Sequence, residues 1–425
     1  MKKNKKICIC SDGISIISGL GKTALRIAKG FHENGYDICY FVITGQDSDK
    51  RCLPFYGESY KDLFNNFEIY NCQINNPERC KQFDEFIYKE KPDIVFSLLD
   101  PWYLDQIDCS SYRSTYTWIA YCLFETPLYP EFIKMPNLVK KDMSVKSLFD
   151  PLRRADIVVP VSKMGKKLLE EKKVKCTDNI YLGIDFDLRC QSNISKEDIF
   201  GQAIKNDDFL FMTVGRNSER KKIDQVLEAF AKFLDTRKND RNKFKLYVHT
   251  NHIESCTGTD LAAQMMNLNI VDNTFFPSCF ERNQVMLDRD LYKRYKVCDA
   301  YIGLSAGEGF GYGYIEALMH NKPVIYIDYG AHREYCANHG YAIPVKSFYN
   351  AKDIYMQWAL PDLYTTVKCM EYCASGADDK KENNDEYLKD NFDWDKVIIP
   401  KLLSQVNSID NKMYKKLFEL KRVNL

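Results

Sequence analysis

Two glutamates and a run of glycines form the cluster of residues best suited to chemistry in this 425-residue chain. Glu308 and Glu316 are separated by seven residues, and glycines occupy every second position from 307 to 313. A glycine-rich backbone can approach a ligand closely, and the N–H groups at the start of a helix attract an anion. Carboxylates repel an anion but accept hydrogen bonds from hydroxyl groups. The cluster therefore predicts a ligand with sugar at both ends of an anionic linker such as a diphosphate.

The elements around this cluster must hold it at one edge of a sheet. Residues 300–304 and 324–327 are short apolar runs that suit strands buried on both faces. Between them, residues 314–320 have apolar side chains at helical spacing, and Asn321 is well placed as the C-cap. The succession of strand, glycine loop, helix and strand predicts a parallel α/β sheet.

Two better-known glycine motifs do not fit the sequence. The dinucleotide fingerprint G-x-G-x-x-G fails in every register of the stretch, because a tyrosine or Glu316 stands where the third glycine is required. The N-terminal run S-G-L-G-K-T ends like a P-loop, but Ile16 replaces the first glycine of that motif. Neither NAD nor a kinase-type phosphate loop is indicated.

A longer pattern surrounds the glutamates. The stretch S-x-x-E-G-F-G-x-x-x-x-E-A-L-x-x-x-K-P-V-I, which begins at Ser305, resembles the donor-sugar signature of retaining glycosyltransferases of family 4. The family usually has glycine where Lys322 stands. The resemblance implies the GT-B fold, an α/β architecture of two doubly wound parallel-sheet (Rossmann-like) domains that face each other across a cleft.

The resemblance also implies roles for individual residues. An arginine and a lysine after the first strand of the second domain clamp the donor diphosphate, and here they are Arg216 and Lys221 after the predicted strand 209–214. Both cations suit oxygens that gain charge as a bond breaks. With Glu308 they form the expected catalytic set. The implied donor-binding residues are Ser305, Gly309, Phe310, Gly311, Tyr312 and Glu316, and Glu316 would bind the ribose hydroxyls.

The N-terminal part predicts a second parallel sheet. Residues 7–10 and 38–43 read as strands, and residues 22–34 read as the helix between them. Gly19 and Gly21 lie in the predicted connecting loop, where the resembled family has a glycine pair near the donor diphosphate. These glycines either contact the diphosphate or only permit a turn.

Two acidic residues follow predicted strands of this first domain. Asp100 follows strand 94–99, and Glu125 follows strand 116–123. The carboxyl ends of parallel strands face the ligand crevice. Family members often carry a histidine or an acidic residue near the acceptor, and this chain has no histidine between His32 and His249. Asp100 and Glu125 are therefore the candidates for the acceptor side, and helix capping is the alternative role of Asp100.

The length of the chain predicts two domains. We expect a Rossmann-like acceptor-side domain over residues 1–190 and a Rossmann-like nucleotide-sugar-binding domain over residues 191–395. Residues 396–425 should form helices that pack back across the domains. The net charge of +1 gives no basic surplus, so nucleic acid is not an expected partner.

Cysteine usage and hydropathy bear on location. The 16 cysteines are scattered and form no C-x-x-C pair, which indicates reduced thiols in the cytoplasm and no structural zinc. No stretch approaches the roughly 20 apolar residues of a transmembrane helix. The lysines of the predicted helix 163–171 could make a peripheral membrane contact, although a solvated helix face is the simpler interpretation.

The resemblance implies transfer of a hexose from a nucleoside diphosphate sugar to an acceptor hydroxyl with retention of configuration. GDP-mannose and UDP-glucose both suit this expectation, with a preference for GDP-mannose, and the acceptor is a carbohydrate, a lipid-linked sugar or a protein. No cofactor and no metal are expected, because the positive groups would stabilise the leaving diphosphate. The alternatives are a phosphorylase, a non-catalytic sugar-nucleotide-binding module and a nucleotide-sugar epimerase, all of the same fold.

Overall fold

The computed structural model describes residues 5–14, 19–43, 48, 50–72, 79–137, 142–250, 258–279, 286–351, 356–376 and 384–409. These residues form two compact units. Unit 1 contains the described residues up to Gly183 and those from Trp394 onward, and unit 2 contains those from Ile184 to Asp393. Ile16 and the part of the predicted closing helices beyond residue 409 lie outside the described residues. The domain boundaries predicted from the sequence remain predictions.

Unit 1 alternates strands and helices, as the sequence pattern predicts. Its strands are β1 (Lys6–Ser11), β2 (Asp37–Val42), β3 (Glu68–Asn71), β4 (Ile94–Leu99), β5 (Thr117–Cys122), β6 (Phe132–Asn137), β7 (Asp142–Ser147) and β8 (Ile157–Pro160). Its helices before unit 2 are α1 (Gly19–Glu33), α2 (Leu53–Tyr56), α3 (Lys61–Asn66), α4 (Arg79–Glu90), α5 (Asp105–Asp108), α6 (Asp150–Arg154) and α7 (Lys163–Glu171).

The main sheet of unit 1 is parallel. Among the described residues, its strands lie in the order β3-β2-β1-β4-β5-β8, and β6 and β7 form a separate antiparallel pair. β4 and β5 are buried along their whole length, which explains why all but one residue of each is apolar. The strand order reverses between β1 and β4, as in a doubly wound sheet. The predicted fold class is confirmed for this unit.

Helix α1 begins earlier than the sequence predicts. Its first residue is Gly19 rather than Lys22, so Gly19 and Gly21 belong to the first helical turn and the prediction of a loop there is wrong. The hydroxyl of Thr23 donates a hydrogen bond to the carbonyl oxygen of Gly19 at 2.6 Å. Glycine has low helix propensity, which is why the sequence pattern places the start too late.

Unit 2 repeats the alternation and adds a hairpin. Its strands are β9 (Phe209–Val214), β10 (Phe244–His249), β11 (Thr274–Phe275), β12 (Ala300–Gly303), β13 (Val324–Ile327), β14 (Gly340–Ile343), β15 (Val345–Asn350) and β16 (Gln357–Pro361). Its helices are α8 (Lys196–Phe200), α9 (Ile223–Asp235), α10 (Leu261–Asn267), α11 (Asp288–Val297), α12 (Tyr312–Met319), α13 (Arg333–Cys336), α14 (Leu363–Ala374) and α15 (Asp385–Phe392).

The main sheet of unit 2 has the same topology as that of unit 1. Its described strands lie in the order β11-β10-β9-β12-β13-β14, and every pairing between them is parallel. The amphipathic helix α9 packs Phe230 and Phe233 against Phe211 of β9, with ring centroids 6.2 and 5.4 Å apart. This apolar packing fixes α9, and with it the loop between β9 and α9.

The end of α12 differs in detail from the prediction. His320 is the C-cap, and Asn321 is the next residue, with φ of +54° in the left-handed region. Asparagine tolerates this conformation better than most residues, and the Lys322 N–H donates a hydrogen bond to the Ala317 carbonyl at 3.0 Å. The helix therefore ends one residue earlier than the sequence predicts, and Asn321 follows the C-cap instead of forming it.

After unit 2, a π-helix (Trp394–Ile398) and α16 (Ile399–Asn407) belong to unit 1. A Cβ atom on Gly183 would lie 2.4 Å from the ring of Trp394, and one on Gly30 would lie 2.5 Å from Ile399. These glycines let the closing segment pack directly on unit 1.

Candidate functional site

The candidate site lies where the strand order of unit 2 reverses. β9 and β12 are neighbours in the sheet, but the chain leaves them in opposite directions across it. Their carboxyl ends lead into the two loops of residues 215–222 and 304–311. In open α/β sheets, ligands bind beside such a switch point. The two motifs singled out in the sequence therefore lie at one edge of one sheet.

A buried carboxylate joins the two loops. Glu308 is 5% exposed, and its carboxylate accepts hydrogen bonds from the Lys221 ammonium at 2.5 Å and from the Arg220 guanidinium at 3.0 Å. Arg220 also donates to the carbonyl oxygen of Gly307 at 2.7 Å. The side chains of Lys221 and Arg220 are themselves largely covered. Charged groups in such surroundings interact more strongly than exposed ion pairs do.

The cluster of Glu308, Lys221 and Arg220 carries a net positive charge. Burial raises the pKa of Glu308, but Lys221 and Arg220 lower it by more, so the pKa of this carboxyl lies well below its usual range. The carboxylate is therefore ionised at neutral pH, and two cations face one anion. The remaining positive charge suits an anionic ligand, while the unused lone pairs of Glu308 can accept hydrogen bonds from hydroxyl groups.

Two backbone hydrogen bonds join three loops that follow neighbouring strands of the unit 2 sheet. The Ala306 N–H donates to the carbonyl of Arg220 at 2.7 Å, and the Ala331 N–H donates to the carbonyl of Glu308 at 2.8 Å. These bonds connect the loops that follow β9, β12 and β13. The position of Glu308 is consequently fixed by both of its neighbouring loops.

The glycine loop ends in the N-terminus of α12. Gly311 is the N-cap and has φ of +93°, a left-handed conformation that favours glycine. A Cβ atom on Gly313 would lie 2.2 Å from the Tyr301 hydroxyl, so this position in the first turn has no room for a side chain. The residues of the loop from Ser305 to Gly311 are buried, and Tyr312 and Gly313 are half-buried. The start of α12 therefore brings backbone N–H groups and a positive helix end to the edge of the loop.

The second glutamate of the motif lies one turn into α12. Glu316 is 8% exposed, and the Tyr292 hydroxyl donates a hydrogen bond to its carboxylate at 3.4 Å. Burial, with the nearby charge of Glu316, raises the pKa of Tyr292 well above its usual value. Tyr292 therefore remains a hydrogen-bond donor to the carboxylate at neutral pH.

The other residues predicted for unit 2 lie on the same loops. Arg216 is exposed on the loop after β9, and Ser305 is buried where β12 ends. Tyr312 is the first residue of α12. The structure thus brings Lys221 into contact with Glu308. Arg220, which the sequence pattern did not single out, contacts the same carboxylate. Arg220 stands in the same charged run as Arg216 and Lys221, but sequence spacing alone does not show which cation meets the carboxylate.

The candidates of unit 1 are described by their own surroundings. Gly19 and Gly21 begin α1. Asp100 occupies the N-cap position of the short 3₁₀ turn Pro101–Tyr103, but its side chain makes no capping hydrogen bond, so the alternative capping role is wrong. Glu125 is half-buried after β5, and its N–H donates to the Tyr129 hydroxyl at 3.1 Å. The acceptor-side role of Asp100 and Glu125 remains a prediction.

Three further features concern metals and membranes. Within the described ranges, no three or more His, Cys, Asp or Glu side chains form a group that could hold a metal ion. Lys166 pairs with Asp178 at 2.7 Å, and Lys167 lies 4.0 Å from Glu171. Among the helices that the structure describes, none has both the length and the apolar character needed to cross a bilayer.

Comparison with known proteins gives a consistent result. Residues 195–357, which contain the site, match the family model described as Glycosyl transferases group 1. The chain is 22% identical over 323 residues to alpha-monoglucosyldiacylglycerol synthase of Streptococcus pneumoniae, and the match covers 73% of this chain and 68% of that protein.

Solved structures share the architecture at low sequence identity. The Anabaena protein HepE in complex with UDP is 14% identical and has a TM-score of 0.69, and the match covers 95% of this chain and all of that one. Sucrose-phosphate synthase of Thermosynechococcus elongatus is 15% identical with a TM-score of 0.66, over 98% of this chain and all of that one. The two doubly wound sheets and these neighbours establish a two-domain α/β protein of the GT-B fold, and the family match supports a glycosyltransferase.

Proposed function

We propose that the protein is a retaining glycosyltransferase of family 4 that moves a hexose from a nucleoside diphosphate sugar to an acceptor hydroxyl. The observation that carries the proposal is the contact of Lys221 and Arg220 with the buried Glu308, directly beside the glycine loop and the start of α12. A positive cluster next to backbone N–H groups suits a diphosphate, and a buried carboxylate in the same place suits sugar hydroxyls.

In this proposal the diphosphate lies between the charged loop and the helix. Lys221 moves part of its interaction from Glu308 to a phosphate oxygen, and Arg216 reaches the diphosphate from the exposed part of the same loop. The N-terminus of α12 faces the other oxygens. All three groups stabilise the negative charge that grows on the leaving diphosphate, and such preorganised donors are worth about 3 to 4 kcal/mol each.

The two glutamates would hold the sugars on either side of the diphosphate. Glu308, with the backbone from Gly309 to Tyr312 and with Ser305, binds the hydroxyls of the donor hexose. Glu316 binds the ribose hydroxyls of the nucleoside. In both carboxylates, lone pairs beyond those used by Lys221, Arg220 and Tyr292 accept these hydrogen bonds.

The bond changes of the transfer balance without an added cofactor or metal. The acceptor oxygen forms a bond to the anomeric carbon on the face from which the diphosphate departs, so the configuration is retained. The bond between that carbon and the diphosphate oxygen breaks with its electron pair. The acceptor proton passes to the leaving phosphate, and Asp100 or Glu125 would only orient the acceptor.

The donor and the acceptor are proposed by class. GDP-mannose, preferred from the sequence, and UDP-glucose are the two donors to test, and the UDP complex of the Anabaena neighbour makes uridine nucleotides a practical first probe. The name of the streptococcal relative makes a glycolipid the first acceptor to test, ahead of a free carbohydrate or a protein. No disulfide joins the cysteines that the structure describes, which fits the proposed cytoplasmic location.

A thermal-shift screen against a panel of sugar nucleotides tests the donor step. A ligand at 100 times its Kd stabilises the folded protein by about 2.7 kcal/mol, which gives a clear increase in Tm. Product analysis with the stabilising donor, with and without acceptor, then separates the alternatives. Transfer supports the proposal, whereas binding without turnover indicates a binding module and conversion of the free donor indicates an epimerase. No stabilisation by any sugar nucleotide would contradict it.

A further inference from the structure

A tyrosine behind the glycine loop contacts two consecutive peptide groups of that loop. Tyr335 lies on α13 and is 1% exposed. Its hydroxyl lies 2.7 Å from the carbonyl oxygen of Phe310 and 2.7 Å from that of Gly311. A hydroxyl has one hydrogen to donate, so the two oxygens share it in a three-centre hydrogen bond.

This contact fixes the direction of two backbone N–H groups. In a planar trans peptide, the C=O and the following N–H point in opposite directions. Because the carbonyls of Phe310 and Gly311 both point to Tyr335, the N–H groups of Gly311 and Tyr312 both point away from it. Successive N–H groups on one side of the chain form an anion-binding concavity, and the left-handed Gly311 is the conformation in which such a concavity occurs.

The position of the hydroxyl is itself well defined. The Tyr335 ring packs against the rings of Phe310 and Phe392, both with centroids 5.5 Å away. Burial raises the pKa of Tyr335 well above its usual value, so the hydroxyl stays protonated and remains a donor at neutral pH. The ring cannot turn away without losing this packing, which keeps the hydroxyl under the loop.

Neighbouring residues of the same segment hold the two ends of the loop. The Ala331 N–H donates to the Glu308 carbonyl at 2.8 Å, before the glycine bend. Beyond the bend, the His332 ring stacks on Tyr314 with centroids 4.2 Å apart. The segment from Gly330 to Tyr335 therefore contacts the loop at Glu308 and, through Tyr335, at its last two residues.

We propose that Tyr335 is a positioning residue that aims the N–H groups of Gly311 and Tyr312 at the diphosphate. This inference rests on the proposed function, because it assigns a structural cause to the anion-binding side of that site. Tyr335 does not touch the ligand. Its hydroxyl holds the Phe310 carbonyl and, together with the Tyr314 N–H that donates to the Gly311 carbonyl at 3.3 Å, also holds the Gly311 carbonyl, so that neither oxygen turns toward the phosphates.

Removal of the single hydroxyl tests this role. Tyr335→Phe keeps the ring and its packing, and we expect it to weaken the binding of inorganic pyrophosphate about tenfold in isothermal titration, as the loss of one hydrogen bond of typical strength would. We expect a similar decrease in kcat/KM for the sugar-nucleotide donor, with the KM of the acceptor unchanged.

A second buried tyrosine provides the matched control. Tyr116 of unit 1 is also buried and donates to the Ile107 carbonyl at 2.8 Å. Tyr116→Phe should lower Tm about as much as Tyr335→Phe does and leave pyrophosphate affinity unchanged. Equal pyrophosphate affinity in wild type and Tyr335→Phe, or an equal loss in both variants, would overturn the positioning role while leaving the transferase proposal intact. A wild-type protein that neither binds nor turns over any sugar nucleotide would remove the proposed function, and this inference with it.

Discussion

The two units share a strand order but differ at the point where that order reverses. In unit 1, β1 ends at Ser11, whose hydroxyl donates a hydrogen bond to the Leu98 carbonyl at 2.7 Å and is thereby used within the sheet. In unit 2, the equivalent strand β9 leads to Lys221 and Arg220, which meet the ionised Glu308. The same topology therefore supports a structural contact in one unit and a charged cluster in the other. Function follows the side chains on the loops rather than the fold.

Buried titratable groups show the same contrast. In unit 1, Cys8 and Cys10 lie side by side with their sulfur atoms 3.5 Å apart, and burial raises the pKa of the Cys8 thiol well above its usual value. The Cys8 thiol is therefore neutral, and both side chains pack as small apolar groups. In unit 2, the buried Glu308 is held ionised by its two cations. Unit 2 thus keeps charge in its interior where an anionic ligand is proposed to bind.

The largest expected effect concerns the lysine of the unit 2 cluster. Lys221→Ala should lower kcat about 10² to 10³-fold, because one preorganised cation no longer faces the growing negative charge. Lys232→Ala is the matched control, since Lys232 is an exposed lysine of α9 that lies 3.8 Å from Glu228. Single-turnover kinetics with saturating donor measure the chemical step. If Lys221→Ala kept the wild-type kcat, the charged cluster of unit 2 would have no role in catalysis, and the contrast with unit 1 would have no functional meaning.

The buried histidines of unit 2 should make it sensitive to acid. Burial lowers the pKa of His332 from 6.5 to about 4, and it lowers the pKa of His320 to about 4 as well. As the pH falls, the unfolded chain therefore binds a proton at each of these histidines before the folded protein does. The stability that depends on the neutral rings is complete above pH 6.5 and is lost as the pH falls toward 4. For each histidine, the free energy of unfolding should fall by about 1.4 kcal/mol per pH unit in that window, or by about 3 kcal/mol over the whole window.

Unfolding by denaturant at several pH values measures this slope. His332→Phe keeps an aromatic ring against Tyr314 and should reduce the slope between pH 6 and pH 5 by about one proton. A variant that also lacks the His320 imidazole should reduce the slope by a second proton. An unchanged slope in both variants would show that burial does not hold these rings neutral.

Arg220, the second cation that contacts Glu308, should matter for stability. Arg220→Ala removes one of the two cationic partners of a buried carboxylate and the hydrogen bond to Gly307, and we expect it to cost about 2 kcal/mol of unfolding free energy. Arg241→Ala is the control, because Arg241 pairs at 3.4 Å with the 75% exposed side chain of Asp235 and its hydrogen bond to the Asn269 carbonyl is also exposed. That exposed pair should contribute less than about 1 kcal/mol. If the two variants lost equal unfolding free energy, burial of the Glu308 cluster would add nothing to stability.

The smallest effect is expected at the second glutamate. Glu316→Gln retains the size of the side chain and one acceptor oxygen but removes the charge. We expect nucleoside diphosphate affinity to fall about tenfold, in line with a hydrogen bond to a charged group. Titration calorimetry with UDP and with GDP measures the change, and inorganic pyrophosphate, which has no ribose, serves as the control ligand. A matching loss of pyrophosphate affinity would contradict the assignment of Glu316 to the ribose.

Much of the fold could be predicted because buried parallel strands are continuous apolar runs. β4, β9 and β13 have the predicted bounds, whereas α12 begins at Tyr312, two residues earlier than predicted. The sequence does not predict the hairpin of β15 and β16, since β15 has no buried residue and therefore no alternation of buried and exposed positions. The early start of α1 was missed because glycine weakens the helical pattern.

The candidate site was predictable only as far as local motifs extend. Glu308 and Lys221 were both named from the sequence, but their mutual contact joins residues 87 positions apart. Arg220 and Tyr335 were passed over for the same reason. The Tyr335 hydroxyl reaches the carbonyls of residues 310 and 311 only because α13 folds back beneath the loop. Periodicity shows which face of an element is buried, but it does not show which residue lies on the other side.

The central claim is that a nucleoside diphosphate binds at the carboxyl ends of β9 and β12. A crystal structure of the protein with the sugar nucleotide that raises its Tm most tests this directly. We predict phosphate oxygens within hydrogen-bond distance of the Lys221 ammonium and of the backbone N–H groups at the start of α12. A diphosphate bound elsewhere, with the Lys221 and Glu308 contact undisturbed and no phosphate beside Gly311, would contradict the account.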